Sequence, residues 1–159
     1  GNCCYLYLLI LHCFHCFLMD FFVLFCLADI DFLSVDIDFN DYWILLSILK
    51  RHKYKAKIIA IEYNSHVPVN ESRVIQYNRT QNWDGITQEF GVGLAALEKL
   101  AIKFGYRVVF CESHGVNAFL VHQKFMTEEK ISLQEVYRPP NYFGKGGNYP
   151  KGLGKWVWV

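Results

Sequence analysis

Ile30-Asp31-Phe32-Leu33-Ser34-Val35-Asp36-Ile37-Asp38-Phe39-Asn40-Asp41-Tyr42-Trp43 is the stretch whose reading decides the fold, because an apolar run ends there in closely spaced acids and gives way to a helical pattern. A short apolar run such as residues 32–37 suits a central strand of a parallel sheet, buried on both faces. In an open α/β sheet, ligands bind beyond the carboxyl ends of the strands, so acids at that end are the first candidates for chemistry. Asn40 or Asp41 can cap the following helix by accepting from its exposed backbone N–H groups. Trp43, Leu46 and Leu49, with Ile44 and Ile48 beside them, give that helix an apolar face to lay on the sheet, and its end is expected near His52.

Residues 57–64, Lys-Ile-Ile-Ala-Ile-Glu-Tyr-Asn, form a second run of the same kind, again finishing in polar groups. Residues 65–93 are polar and without strong periodicity, and a connection this long inside a compact domain is usually functional or partly structured. It is expected to cover the strand ends. Leu94, Leu97, Leu100, Ala101 and Phe104 share a helical stripe, with Gly105 placed for a left-handed C-cap. Residues 106–112 and 116–122 are strand-like and are joined by Ser113-His114-Gly115, a link short enough to permit only an antiparallel pair. The deduced class is α/β: strand, helix, strand, helix, strand, hairpin, strand. From Arg138 onward, prolines and glycines leave little capacity for regular structure, and a loose, fraying tail is expected. The expected organisation is an apolar segment over residues 1–28, an α/β domain over residues 29–125 and a Gly/Pro-rich tail over residues 126–159.

The chain of 159 residues suits one domain, and its formal charge of +1 provides no basic footprint for nucleic acid. The basic run at residues 50–57 is the ordinary cationic end of a helix. Cys3, Cys4, Cys13, Cys16 and Cys26 all lie in the apolar start, leaving Cys111 alone in the body, which is not a disulfide framework. Reducing surroundings are the mild preference, hence a cytoplasmic location, with membrane association as the alternative.

Hydrophobic residues make up 53% of the chain, and the excess sits in residues 1–28. That run is long enough for a bilayer-crossing helix of about 20 residues, yet Asp20 in its interior would cost on the order of 3 kcal/mol. The chain starts at Gly1 rather than Met, so residues 1–28 are read as a mistranslated or truncated start, a membrane- or signal-like segment, or a buried helix or strand of the fold. His12-Cys13-Phe14-His15-Cys16 lacks the second ligand pair of a structural zinc site, and no dedicated metal site is assigned.

Asp36-Ile37-Asp38-Phe39-Asn40-Asp41-Tyr42-Trp43, then Ile61-Glu62-Tyr63-Asn64, Trp83-Asp84-Gly85, Gly91-Val92-Gly93-Leu94-Ala95-Ala96-Leu97 and Gly115-Val116-Asn117-Ala118-Phe119, resemble an FkbM-related, methyltransferase-like family over residues 31–122. The resemblance implies the C-terminal half of a Rossmann-like sheet, with parallel strands plus an antiparallel hairpin strand. It also implies, in intact relatives, methyl transfer from S-adenosylmethionine to a hydroxyl of a small molecule or sugar. Two departures stand out. Phe39 occupies a position where the family pattern has glycine, and residues 1–28 contain no glycine-rich loop to hold the cofactor. The chain therefore reads as truncated or degenerate, and poor binding of S-adenosylmethionine is expected.

Asp36, Asp38, Glu62 and Asn64 are the leading catalytic candidates, as oxygen groups able to hold a divalent cation or orient a substrate hydroxyl. Asp36 and Asp38 are expected to diverge, one toward the crevice and one toward the helix layer. Helix capping by Asp38, Asn40 and Asp41 is the competing reading. His66 is a candidate proton acceptor or, alternatively, an exposed loop histidine. Trp83, Asp84 and Asn117 are candidates for the substrate side, although Asp84-Gly85 also reads as a plain turn. The expected partner is a small molecule. The alternative is a non-enzymatic binding module anchored through residues 5–27.

Overall fold

The computed structural model describes residues 8–12, 29–51, 55–127, 131–142 and 149–159. In chain order these form β1 (Leu8–His12), β2 (Asp29–Asp36), α1 (Asp41–Lys50), β3 (Lys55–Glu62), β4 (Arg73–Ile75), α2 (Leu94–Lys103), β5 (Tyr106–Cys111), β6 (Asn117–His122), α3 (Leu133–Val136) and β7 (Trp156–Trp158). The result is an α/β protein with a mixed sheet of order β1-β2-β3-β6-β5. β1, β2 and β3 are parallel, β6 is antiparallel to β3, and β5 is antiparallel to β6. As expected from the apolar runs, β2 and β3 lie side by side and point the same way, with Phe32 opposite Ile58 and Val35 opposite Ile61.

Leu33, Ile59, Leu120 and Val108 stand in one row across the sheet, and Val35, Ile61, Ala118 and Cys111 in the next. All eight are buried, in one core with Leu45, Ile48 and Leu49 of α1 and Leu94, Leu97, Leu100 and Ala101 of α2. Removing an aliphatic side chain of this kind from water stabilises by about 1.5–3 kcal/mol. The opposite face is less covered by the described residues, with Ile58 38% and Phe110 50% exposed. α2 is tied to β5 by the buried Glu98, which accepts from Val108 N–H at 2.8 Å and pairs with Arg107. Its end is the one expected: Gly105 takes φ +81° and donates its N–H to the Ile102 carbonyl.

Several expectations are corrected. β2 stops at Asp36 rather than Ile37, because the Ile37 N–H is taken by the Asp41 carboxylate at 3.0 Å and cannot join a ladder. Asn40 occupies the N-cap position of α1 without a side-chain cap; its amide instead donates to the Asn78 carbonyl at 2.8 Å. α1 ends at Lys50, before His52. The long segment over residues 65–93 contains β4. The tail is not loose over residues 149–159, because β7 pairs antiparallel with β4. Val159 adds an N–H to the Ser72 carbonyl, while its own carbonyl accepts from Ser72 Oγ and Lys99 Nζ.

Residues 8–12 do not belong to a helix. They are a strand, the outermost on that side among the described residues, and its last residue, His12, stands opposite Asp36. A central strand such as β2 has a ladder to satisfy on both edges, and a run of Leu and Ile suits the outer partner. No helix among the described residues is long and apolar enough to cross a membrane. The remainder of the apolar segment, including Asp20 and Cys13 to Cys16, lies outside the described residues.

Candidate functional site

The parallel pairing of β2 and β3 brings their last residues, Asp36 and Glu62, to one rim of the sheet. The chain then reverses sharply, with Asp38 at φ +63°, the left-handed region that L-residues other than Asn and Asp seldom enter. The expectation that Asp36 and Asp38 diverge is overturned. One carboxylate oxygen from each of Asp36, Asp38 and Glu62 lies within 4.8 Å of the others. Residues two apart on a strand already share a face, and the left-handed turn keeps Asp38 on that side.

Asp41, read from sequence as a helix cap, is the fourth acid of the group. It is fully buried, and its Oδ1 accepts from Ile37 N–H while its Oδ2 has no partner among the described residues. Burial pushes its carboxyl up to about 7 against the pull of the Ile37 bond, and Asp36 and Asp38 push further. Glu62 is 8% exposed, and its Oε2 is likewise without a partner among the described residues. Burial raises its carboxyl well above the usual range, and the charges of Asp41, Asp36 and Asp38 add to that rise. Acids so arranged must hold protons or a cation, since isolated buried carboxylates are costly.

Asn64 serves a different purpose. Its Nδ2 donates to the carbonyls of Gln88 and Phe90, its Oδ1 accepts from His66 N–H, and its backbone N–H reaches the Val92 carbonyl. It pins the covering segment over the end of β3. His66 is a half-buried residue rather than an exposed loop histidine. Its ring packs against Tyr142 and Tyr149, its Nε2 is without a partner among the described residues, and burial lowers its proton affinity. The neutral ring can accept a proton, but it lies in a cavity of 190 Å³ with Asn64, Gln88 and Glu89, which the three clustered acids do not line.

Asp84 closes its own turn, accepting from the N–H groups of Ile86 and Thr87 and from Thr87 Oγ1, bonds that lower its carboxyl. Trp83 donates to the Thr87 carbonyl and packs on Phe90 and Tyr149. Asp84 lines a larger cavity of 560 Å³ with Phe39, Tyr77, Glu89 and Leu153. Asn117 stands directly opposite Glu62 across β3 and β6, at the same rim as the acids, and its carbonyl accepts from Glu112 N–H.

Sequence reasoning missed Asp41 as a buried charge, Glu89 as a wall shared by both cavities, and the tail tyrosines as the packing of Ser65 and His66. Only the tyrosines left a trace, as aromatics interleaved with glycine and proline near the C-terminus. Tyr137 donates to the Ser65 carbonyl at 2.7 Å, Tyr142 OH lies 2.9 Å from Ser65 Oγ, and the Tyr63 hydroxyl donates to the Arg138 carbonyl at 2.7 Å. These bonds seal the tail against the residues that follow β3. No protein family, curated protein or solved structure matches this chain.

Proposed function

We propose that the chain is a degenerate methyltransferase-like domain of partial Rossmann-like build, whose acidic rim takes the hydroxyl of a small molecule or sugar. The observation that carries this reading is the strand arrangement: β6 runs backward between β3 and β5, and the parallel pair β2 and β3 ends in acids that meet. A reversed strand from a C-terminal hairpin is what the resemblance to the FkbM-related family implies. Ligand binding at the carboxyl ends of such strands is the general rule for open α/β sheets.

The same reading has this chain bind S-adenosylmethionine poorly, and the turn after β2 supports it. Phe39 is 2% exposed at the turn after β2, and its carbonyl accepts from Gly91 N–H, so the backbone approach that a glycine would open is filled. No chemical step is therefore assigned through that cofactor. What this chain's own residues can do is orient a hydroxyl: a carboxylate of the rim accepts its hydrogen and fixes its direction.

Calorimetric titration of the chain with S-adenosylmethionine is expected to give no saturable heat, and micromolar binding would overturn the degenerate assignment. In ¹⁵N–¹H spectra, millimolar methyl glycosides are expected to move the amides of Ile37, Asp38, Glu62 and Tyr63. Shifts confined to other residues, or none, would refute the hydroxyl-binding rim.

A further inference from the structure

We infer that Asp36, Asp38 and Glu62 form a binding site for one hard divalent cation, with Asp41 as a buried negative charge behind it. The inference does not depend on the methyltransferase-like reading; it rests on the placement of four acids. One oxygen each from Asp36, Asp38 and Glu62 falls within a 4.8 Å span, close enough for all three to reach a single ion. Oxygen ligands bind Ca²⁺ at about 2.3–2.6 Å and Mg²⁺ at about 2.0–2.1 Å, so two ligands of one ion stand at most about 5 Å apart on Ca²⁺ and about 4 Å apart on Mg²⁺; the span accommodates Ca²⁺ as it stands, and the side chains close by up to roughly half an ångström around the smaller ion.

A cluster of acids on a surface would mean little, because water satisfies it. Here Glu62 and Asp41 are both more than nine-tenths buried, and each has one carboxylate oxygen without a partner among the described residues. The charges acting on Glu62 are those of Asp41, Asp36 and Asp38, all of one sign. Glu62 and Asp41 thus each keep a buried carboxylate oxygen that no described residue satisfies, and a divalent cation coordinated by the cluster meets that need.

The donor set selects the class of ion. The three ligands are carboxylates, without sulfur or imidazole, which suits Mg²⁺, Mn²⁺ or Ca²⁺ over Zn²⁺ or Cu²⁺. Glu62 and Asp36 are each the last residue of a paired strand, so two ligands stand on rigid backbone. Asp38 supplies the third from the turn, where its left-handed conformation brings the carboxylate back over the strand end. An ion held there would sit at the mouth of the proposed hydroxyl site, able to bind a substrate oxygen directly.

The probe is Mn²⁺ alone, titrated into the full chain and followed both by the loss of the free-ion electron paramagnetic resonance signal and by calorimetry. One saturable site per chain is expected, competed by Mg²⁺ or Ca²⁺. Asp38→Asn and Glu62→Gln are each expected to weaken Mn²⁺ by at least about tenfold, since even outer-shell changes cost 10- to 100-fold. Both replacements remove a repelling charge, so neither should prevent folding, and a thermal melt of each confirms it. Glu135→Gln, on an exposed capping box that glutamine also satisfies, should bind Mn²⁺ as the parent does. Absence of saturable binding by the parent chain, or binding that survives both Asp38→Asn and Glu62→Gln, overturns the site. The methyl glycoside titration is read without added metal, so the two proposals fail separately.

Discussion

Replacing Gly115 by alanine tests whether the tail is packed onto the hairpin. Gly115 has φ +74°, and a Cβ built there falls 2.7 Å from the Pro139 carbonyl oxygen, 2.9 Å from that of Arg138 and 2.8 Å from Ser65 Oγ. Gly85 is the control, because its φ is +75° and a Cβ there meets nothing within 4 Å. The left-handed conformation costs an L-residue roughly 1–2 kcal/mol, partly offset by about 0.4–1 kcal/mol from the stiffer unfolded chain. Gly85→Ala should therefore destabilise by roughly 0.5–1 kcal/mol. Gly115→Ala bears the same cost plus the overlap with two backbone oxygens that can yield only if the tail moves, at about 1–3 kcal/mol. Its total is roughly 1.5–4 kcal/mol. Urea unfolding at equilibrium reads both, as a fall in midpoint at unchanged slope. Equal effects within about 0.5 kcal/mol would show that the Arg138 and Pro139 carbonyls do not rest on the turn, and the sealed wall beside Ser65 and His66 would be lost with them.

Tyr63→Phe removes a buried hydroxyl that donates to the Arg138 carbonyl and accepts from Arg138 N–H, and should cost about 1–2 kcal/mol in the same assay. Asp41→Asn keeps the acceptor for Ile37 N–H while deleting a buried charge, so in chelator-treated buffer at pH 8 the variant should be more stable than the parent by roughly 1–3 kcal/mol; a loss of stability would mean that Asp41 is not the uncompensated group described. His66 carries a proton affinity lowered by burial, so the unfolded chain binds the proton more readily than the folded one. Its share of stability is full above the unfolded value near 6.5 and falls as pH drops from there toward the lower folded value. Comparing unfolding at pH 7.5 and 5.5, His66→Gln should lose less stability on acidification than the parent does, and an identical loss would place His66 in solvent.

Much of the sheet was legible because its signals are local. β2, β3, β5 and β6 announce themselves as apolar runs with polar ends, and Leu94 to Lys103 as a stripe closed by Gly105, all within a few residues of chain. The hairpin direction followed from the length of Ser113-His114-Gly115 alone. β4 and β7 are three residues each and give no periodicity; they pair with one another across a long stretch of sequence that no local pattern spans. The same holds for β1, whose apolar run suits helix, membrane or sheet until β2 offers it an unfilled edge.

By itself the sequence determined which residue types end the strands, and hence that acids would stand at the rim of a parallel sheet, since strand polarity carries them there. The tertiary structure decided which of those acids are a site. Asp36, Asp38 and Glu62 converge because β2 and β3 are in register and the turn at Asp38 is left-handed, and Asp41, fully buried, spends one oxygen on the Ile37 N–H of that turn instead of capping the helix. Asn64 passes the other way, from candidate ligand to fastener, because Gln88 and Phe90 present their carbonyls to it. Charge and hydrogen-bonding capacity are written in the chain, but whether water or protein satisfies them depends on what packs overhead, and packing is a property of residues far apart in sequence.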